Sequence, residues 1–240
     1  MENPWIELVK LYEEDGTCIH PLDKKKIDEI NSQLEGKIDE KIQISQRPLP
    51  YLGNPYTANV LFLLLNPGYK EGGIGSGEHY ELWKKNILHE DMDYPIYELD
   101  PEVRKNGSRS HRWFYVRLKQ LFGKEDLLKN AEKISKKICF VEYFPYHSKK
   151  ASSLWKYGGI TLPTQEYGFE LVRKAVERGA IIVIMKGKKQ WLKKICEYKS
   201  RIEYYQTTNA QGSSLTKDVV IRGVFPDDYN ELREKILGVE

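Results

Sequence analysis

The residues able to do chemistry in this chain collect where its apolar runs stop. The run 60–65 (VLFLLL) ends at Asn66-Pro67-Gly68-Tyr69. Pro67 has no N–H and a fixed φ, which halts a sheet ladder, and Gly68 lets another molecule approach the backbone with no Cβ in the way. A side-chain amide at the carboxyl end of a strand in an open α/β sheet faces a ligand cleft; the alternative is a local turn in which Asn66 and Gly68 satisfy only backbone geometry. The run 137–144 leads into Glu142, Phe144, Tyr146, His147 and Ser148, the run 180–185 into Lys186-Gly187-Lys188-Lys189, and the run 201–207 into Asn209, Gln211, Gly212, Ser213 and Ser214. Lys149, Lys150 and Lys156 extend the basic edge. Charge runs are usually solvated faces. Here they coincide with the ligand edge, aromatics are interleaved, and Gly187, Gly212, Ser213 and Ser214 offer donors, a combination that fits a polyanion gripped through its phosphates.

The elements that would position these residues follow from periodicity. Segments 60–65, 137–144 and 180–185 are continuous apolar runs of the length of strands buried on both faces, 201–207 is a fourth strand and 218–225 a short extra one. Helices are expected over 4–14, 22–35, 79–89, 110–122, 125–136, 163–178, 188–197 and 226–237, with Gly123 and Gly179 as breaks and Asp23 favouring the start of the second. The Pro-rich 46–55 reads as an extended lead into the first strand, and the turn-rich 91–107 as a long loop across the active face. Alternating helices and strands predict a three-layer α/β/α fold with a central, mostly parallel four-stranded sheet, plus N-terminal helices. The expected division is a helical extension over 1–47, acting as a lid or flank, and an α/β domain over 48–240.

Composition bounds the partners. Among 240 residues, 30% are charged and 40% hydrophobic, and no apolar stretch approaches the roughly 20 residues of a membrane span. The N-terminus lacks the basic, apolar and small-residue regions of a secretory signal, so a cytoplasmic protein with no membrane partner is expected. Cys18, Cys139 and Cys196 read as buried free thiols and do not supply a four-cysteine cluster. The net charge of +3 is too mild to indicate nucleic acid by itself.

Asn66-Pro67-Gly68 after an apolar strand, together with Asn209-Ala210-Gln211-Gly212-Ser213 after the last one, resembles the two signature motifs of the uracil-DNA glycosylase superfamily, closest to its Asn-Pro-Gly branches. The likeness spans residues 48–215 in strand order and motif placement, and the first motif is the more specific. In the second, Ala210 and Gln211 depart from the family's Pro-Ser. The resemblance implies a monofunctional enzyme, a monomer without cofactor or metal, that flips a base out of DNA and hydrolyses its N-glycosidic bond. It assigns Asn66 to the attacking water and Asn209 to the departing base, with Pro67, Gly68, Tyr69, Tyr80, Glu142 and Phe144 around the base. His147, Ser148, Lys149, Lys186, Gly187, Lys188, Gln211, Gly212, Ser213 and Ser214 would meet the DNA.

Two departures bear on specificity. Gly68 stands where the best-known branch has a Tyr that excludes groups at pyrimidine C5. Glu142 is the nearest polar residue to the family's base reader; a carboxylate there accepts from the cytosine amino group and repels O4 of uracil or thymine. Glu142 could instead be a strand-end carboxylate paired with a Lys. Tyr80 is either the ring that stacks on the flipped base or ordinary core, with Tyr69 and Trp83 as substitutes. An open C5 wall with a cytosine reader resembles the anti-phage members that remove glucosylated hydroxymethylcytosine from viral DNA. The alternatives are a uracil or mismatch repair glycosylase and a non-catalytic sensor of modified bases. Other chemistries are less well served: 72–77 (GGIGSG) makes no clean dinucleotide fingerprint, and His79, His89, His111 and His147 show no recurrent metal-ligand spacing.

Overall fold

The computed structural model describes residues 1–69, 79–105, 112–150, 161–196, 204–207, 214–216, 220–221 and 228–238. The three most apolar runs become the middle of one sheet: β2 (Val60–Leu64), β3 (Ile138–Glu142) and β4 (Ile181–Ile184) are almost wholly buried, as strands covered on both faces must be. With β1 (Tyr51–Leu52), β5 (Tyr204–Thr207) and β6 (Val220–Ile221) they form a mixed, mostly parallel sheet in the order β1-β3-β2-β4-β5-β6. Its four central strands are parallel, and the two-residue strands at its edges are antiparallel. The expected four strands are thus the parallel centre of a six-stranded sheet. The missed β1 falls in the Pro-rich lead, where the two residues between Pro50 and Gly53 are too few to show a strand period.

This order places β3 on one side of β2 and β4 on the other, so the chain reverses its winding direction at β2. Such a switch point opens a crevice beyond the carboxyl ends of the strands that flank it. The register lines up Phe140, Phe62 and Val183 across the centre, with Phe62 and Phe140 stacked at 4.9 Å.

Ten α-helices lie among the described residues. They are α1 (Trp5–Asp15), α2 (Pro21–Gln33), α3 (Tyr80–Ile87), α4 (Pro101–Lys105), α5 (Arg112–Phe122), α6 (Lys124–Lys129), α7 (Ala131–Lys137), α8 (Gln165–Glu177), α9 (Lys188–Cys196) and α10 (Asp228–Leu237). None is long and apolar enough to cross a membrane. The helix expected over 125–136 is two, parted at Asn130. The segment expected as a loop over the active face, 91–107, is irregular and partly exposed at 91–95 but buried at 96–99. Ile96, Tyr97 and Leu99 are fully buried, the Ile96 N–H donates to Ser135 Oγ at 2.7 Å beside the start of β3, and Glu98 accepts from the Phe114 N–H in the first turn of α5. Its apolar side chains outweigh its turn-forming ones. Cys18 and Cys139 are buried, but Cys196 is exposed: α9 turns Trp191 and Ile195 inward and leaves Cys196 outside.

The N-terminal helices join the same core through Trp5, Leu8, Ile27, Ile30 and Leu34. A buried polar cluster fixes their docking. Asp23 of α2 accepts from Tyr146 Oη at 2.8 Å, from the Thr164 N–H at 3.2 Å and from the Thr164 hydroxyl, and burial raises its pKa. Asp23 lies in the first turn of α2, as expected, and serves also as a buried acceptor for two distant segments.

Gly53 turns the chain out of β1 at φ +99, where an added Cβ would sit 2.6 Å from the Ile138 carbonyl oxygen. Gly16 has a similar φ of +78 but open space around it. In urea unfolding, Gly16→Ala is expected to cost about 1–2 kcal/mol, the strain of a left-handed alanine alone, and Gly53→Ala clearly more, because backbone must also move. Equal costs would show that the contact with β3 carries no energy.

Candidate functional site

Beyond the ends of β2 and β3 the two following loops are laced by main-chain hydrogen bonds. The Tyr143 and Phe144 N–H groups donate to Leu64 and Leu65, the Ser148 N–H to Pro67 O at 3.2 Å, and the Tyr69 N–H to Ser148 O at 3.2 Å. Gly68 and Ser148 form a parallel bridge. Onto this frame the half-buried Asn66 fastens its side chain: Nδ2 donates to Pro67 O and to Ser148 Oγ, both at 3.0 Å, with Ser148 O at 3.4 Å. Two of these partners are carbonyls, which only accept, so the amide orientation is determined. Oδ1 therefore points away from them, takes no hydrogen bond among the described residues and is not sealed from solvent.

His147 and Ser148, assigned by sequence to DNA contact, are interior residues, 3% and 1% exposed. The two ring nitrogens of His147 meet Gly68 O at 3.0 Å and Arg47 O at 3.1 Å. Burial lowers its pKa against the pull of those carbonyls. His147 thus lies between Gly68 and the N-terminal segment, and in its neutral form donates to one of the two carbonyls. That segment also grips the loop through the Gln43 N–H to His147 O, the Leu49 N–H to Pro145 O, an antiparallel bridge from Ile42 to Ser148, and Tyr146 on Asp23. The N-terminal segment 1–47, expected as a lid or flank, thus packs directly on the loop that follows β3. Nothing in the spacing of Asp23, Arg47 and Tyr146 marks this, because the partners lie about a hundred residues apart.

Glu142, at the end of β3 opposite Leu64, is 7% exposed, and its Oε2 is buried with no hydrogen-bond partner among the described residues. Burial holds its pKa well above the usual carboxylate range; Lys186, half-buried after β4, acts the other way. Glu142 and Lys186 form no ion pair within 4 Å, so the surface pair considered from sequence is not formed. A neutral carboxyl offers one donor and one acceptor. That pair matches N3 and the amino group of cytosine, and, with the proton on the other side, the O4 and N3–H edge of uracil. Repulsion of O4 belongs only to the ionised form.

The remaining assigned residues divide. Gly68 is exposed, and a Cβ built there meets nothing within 4 Å. Tyr69 is half-buried beside it. Gly187 lies against Leu65 of the first loop, and Lys188 reaches over the Tyr204 ring at 5.7 Å. Ser214 hydrogen-bonds Gln120 of α5 at 3.4 Å. Lys149 is exposed and pairs with Asp39 at 2.8 Å, a contact that water and salt weaken. Phe144 is core, packed on Tyr146. Tyr80 stacks on Tyr12 at 5.1 Å, donates to Glu13 and shares the Arg47 guanidinium with Tyr12 and Trp83. Its ring serves the docking of α1, as does Trp83. Asn209, Gln211, Gly212, Ser213, Lys156, His111 and the glycine-rich 72–77 lie outside the described residues.

Glu142 carries a measurable signature. Its folded pKa lies above the unfolded value near 4.5. Its contribution to stability is therefore whole below that value and is lost as pH rises toward the folded pKa. Glu142→Gln should flatten this decline, so that thermal unfolding across pH 4 to 8 shows the variant gaining on the parent as pH rises. A difference independent of pH would mean that Glu142 ionises freely.

Comparison with protein-family models, with curated proteins and with solved structures found no match to this chain.

Proposed function

We propose that the protein is a monofunctional DNA glycosylase, a cytoplasmic monomer with a three-layer α/β/α core, that everts a pyrimidine from DNA and hydrolyses its N-glycosidic bond. The substrate class is a C5-modified cytosine, such as the glucosylated hydroxymethylcytosine of phage DNA, and the setting is antiviral defence. The observation that carries the reading is the amide of Asn66 at the switch point of the sheet, its nitrogen committed to Pro67 and Ser148 and its oxygen without a hydrogen-bond partner among the described residues. Open space at Gly68 and the basic residues Lys186 and Lys188 on the same rim support it.

In this reading Asn66 Oδ1 accepts a hydrogen bond from a water and aims its lone pair at C1′. The new bond forms from water oxygen to C1′, the N-glycosidic pair leaves with the base, and the water's proton ends on the product base. An amide does not deprotonate the water, so the rate comes from positioning and from donors that meet the charge growing on the base. Asn209 is assigned that second task. It follows β5 in the sequence, and β5 lies two strand spacings from β2, about 10 Å. Glu142 in its neutral form would hold cytosine through N3 and the amino group. The same neutral carboxyl favours a second reading, excision of uracil, because its O–H can face O4.

Single-turnover release of free base, scored also as alkali-labile breaks, separates the readings on DNA carrying glucosylated hydroxymethylcytosine, plain cytosine or uracil. The expected outcome is release from the modified DNA, reduced about 100-fold or more in Asn66→Ala. Gly68→Tyr should depress release of the bulky base at least about tenfold while sparing smaller ones. Release of uracil alone would select the repair reading; tight binding without breaks in either protein would leave a sensor.

A further inference from the structure

We infer that position 66 is built to hold an amide and to refuse an ionised carboxylate, and that Ser148 is the positioning residue deciding which atom of Asn66 faces the cleft. The bearing on catalysis rests on the glycosylase reading, but the geometry stands apart from it. The two Nδ2 hydrogens point into three acceptors, Pro67 O, Ser148 Oγ and Ser148 O. Neither carbonyl is at liberty to turn away. Pro67 O also receives the Ser148 N–H and Ser148 O the Tyr69 N–H, both at 3.2 Å, so moving either would unlace the two loops.

A carboxylate in place of the amide would set a negative oxygen 3.0 and 3.4 Å from two carbonyl oxygens, with only the Ser148 hydroxyl able to turn and donate. Such a group relieves the repulsion by keeping a proton, and then mimics the amide, or by swinging out of place. Either way the side chain is not a base aimed at the water. A stronger base at position 66 is thus not one substitution away, and this scaffold is committed to amide-positioned hydrolysis. The Ser148 main chain is anchored by its bridges to Ile42 and Gly68, which do not need its hydroxyl, so Ser148→Ala is expected to fold with Asn66 less firmly held.

Asn66→Asp in the full chain is the first test, read by carboxyl carbon NMR as a difference from the parent. The introduced carboxyl should titrate above the ordinary aspartate value of about 3.9. The stability deficit of the variant should then widen as pH climbs through that titration, since the protonated form is the one that fits. Base release by the variant should fall over the same pH range. A carboxyl titrating at or below the ordinary value, or a release rate that rises with pH, would overturn the inference. Ser148→Ala is the second test: the Asn66 side-chain amide protons should exchange with solvent about tenfold faster. Single-turnover release should drop about tenfold with DNA affinity unchanged. Unchanged exchange would remove Ser148 from the role. Should no protein release any base, the glycosylase reading falls, and the titration and the amide exchange still decide the inference.

Discussion

The pairing of Ser148 with residues 67–69 is the constraint on which the rest of the site depends. Parallel strands cannot be joined by a tight turn, so the segments leaving β2 and β3 diverge unless something holds them. Here the ladder continues past the sheet: Ser148 donates to Pro67 and accepts from Tyr69, and its hydroxyl takes up the Asn66 amide. Pro67 ends the regular strand without ending the pairing, because its carbonyl remains free to accept. One buried serine thereby fixes the backbone of the first loop and the side chain that the loop presents.

The clamp has an outer layer in the N-terminal segment, and its polar contacts explain why so much hydrogen-bonding capacity is buried here. Asp23, Arg47, His147 and Ser148 are all interior. Buried polar groups add little net stability, but they are costly to leave unmatched, so they enforce one arrangement over its neighbours. The apolar contacts of Trp5, Ile27 and Leu34 would tolerate small slides of α1 and α2; the bonds from Asp23 to Tyr146 and Thr164 would not. The matching is not complete: among the described residues Glu142 Oε2, Glu98 Oε1 and the Tyr97 hydroxyl are buried with no hydrogen-bond partner.

The sequence is most legible where one element carries its own signal. VLFLL, ICFVE and IIVI declare buried strands by composition alone, and Asn-Pro-Gly declares the end of the first. From those runs and the alternating helices, the parallel centre of the sheet and the rim at its carboxyl ends could be placed in advance. What could not be read are relations between distant segments. Ser148 resembled a surface hydroxyl beside two lysines, and only the bridge to Gly68 makes it interior. Tyr80 could be read as a base-stacking ring or as core, and only the packing of α1 against it decides for the second. Glu142 resembled an ionised carboxylate because nothing local reveals how thoroughly a strand end will be covered. Residues 91–107 resembled a loop since turn formers outnumber the few apolar side chains, at 96–99, that are buried.

The brevity of β1 has a consequence for how the molecule behaves among its own copies. A parallel sheet left open at its flank is a template on which another chain can add a strand. On this flank an intruder would find only Tyr51 and Leu52, preceded by prolines at 48 and 50 that lack N–H groups and followed by a turn at Gly53 packed against β3. The border is too short to be copied and too tightly wedged to lengthen, a built-in safeguard against polymerisation along that side.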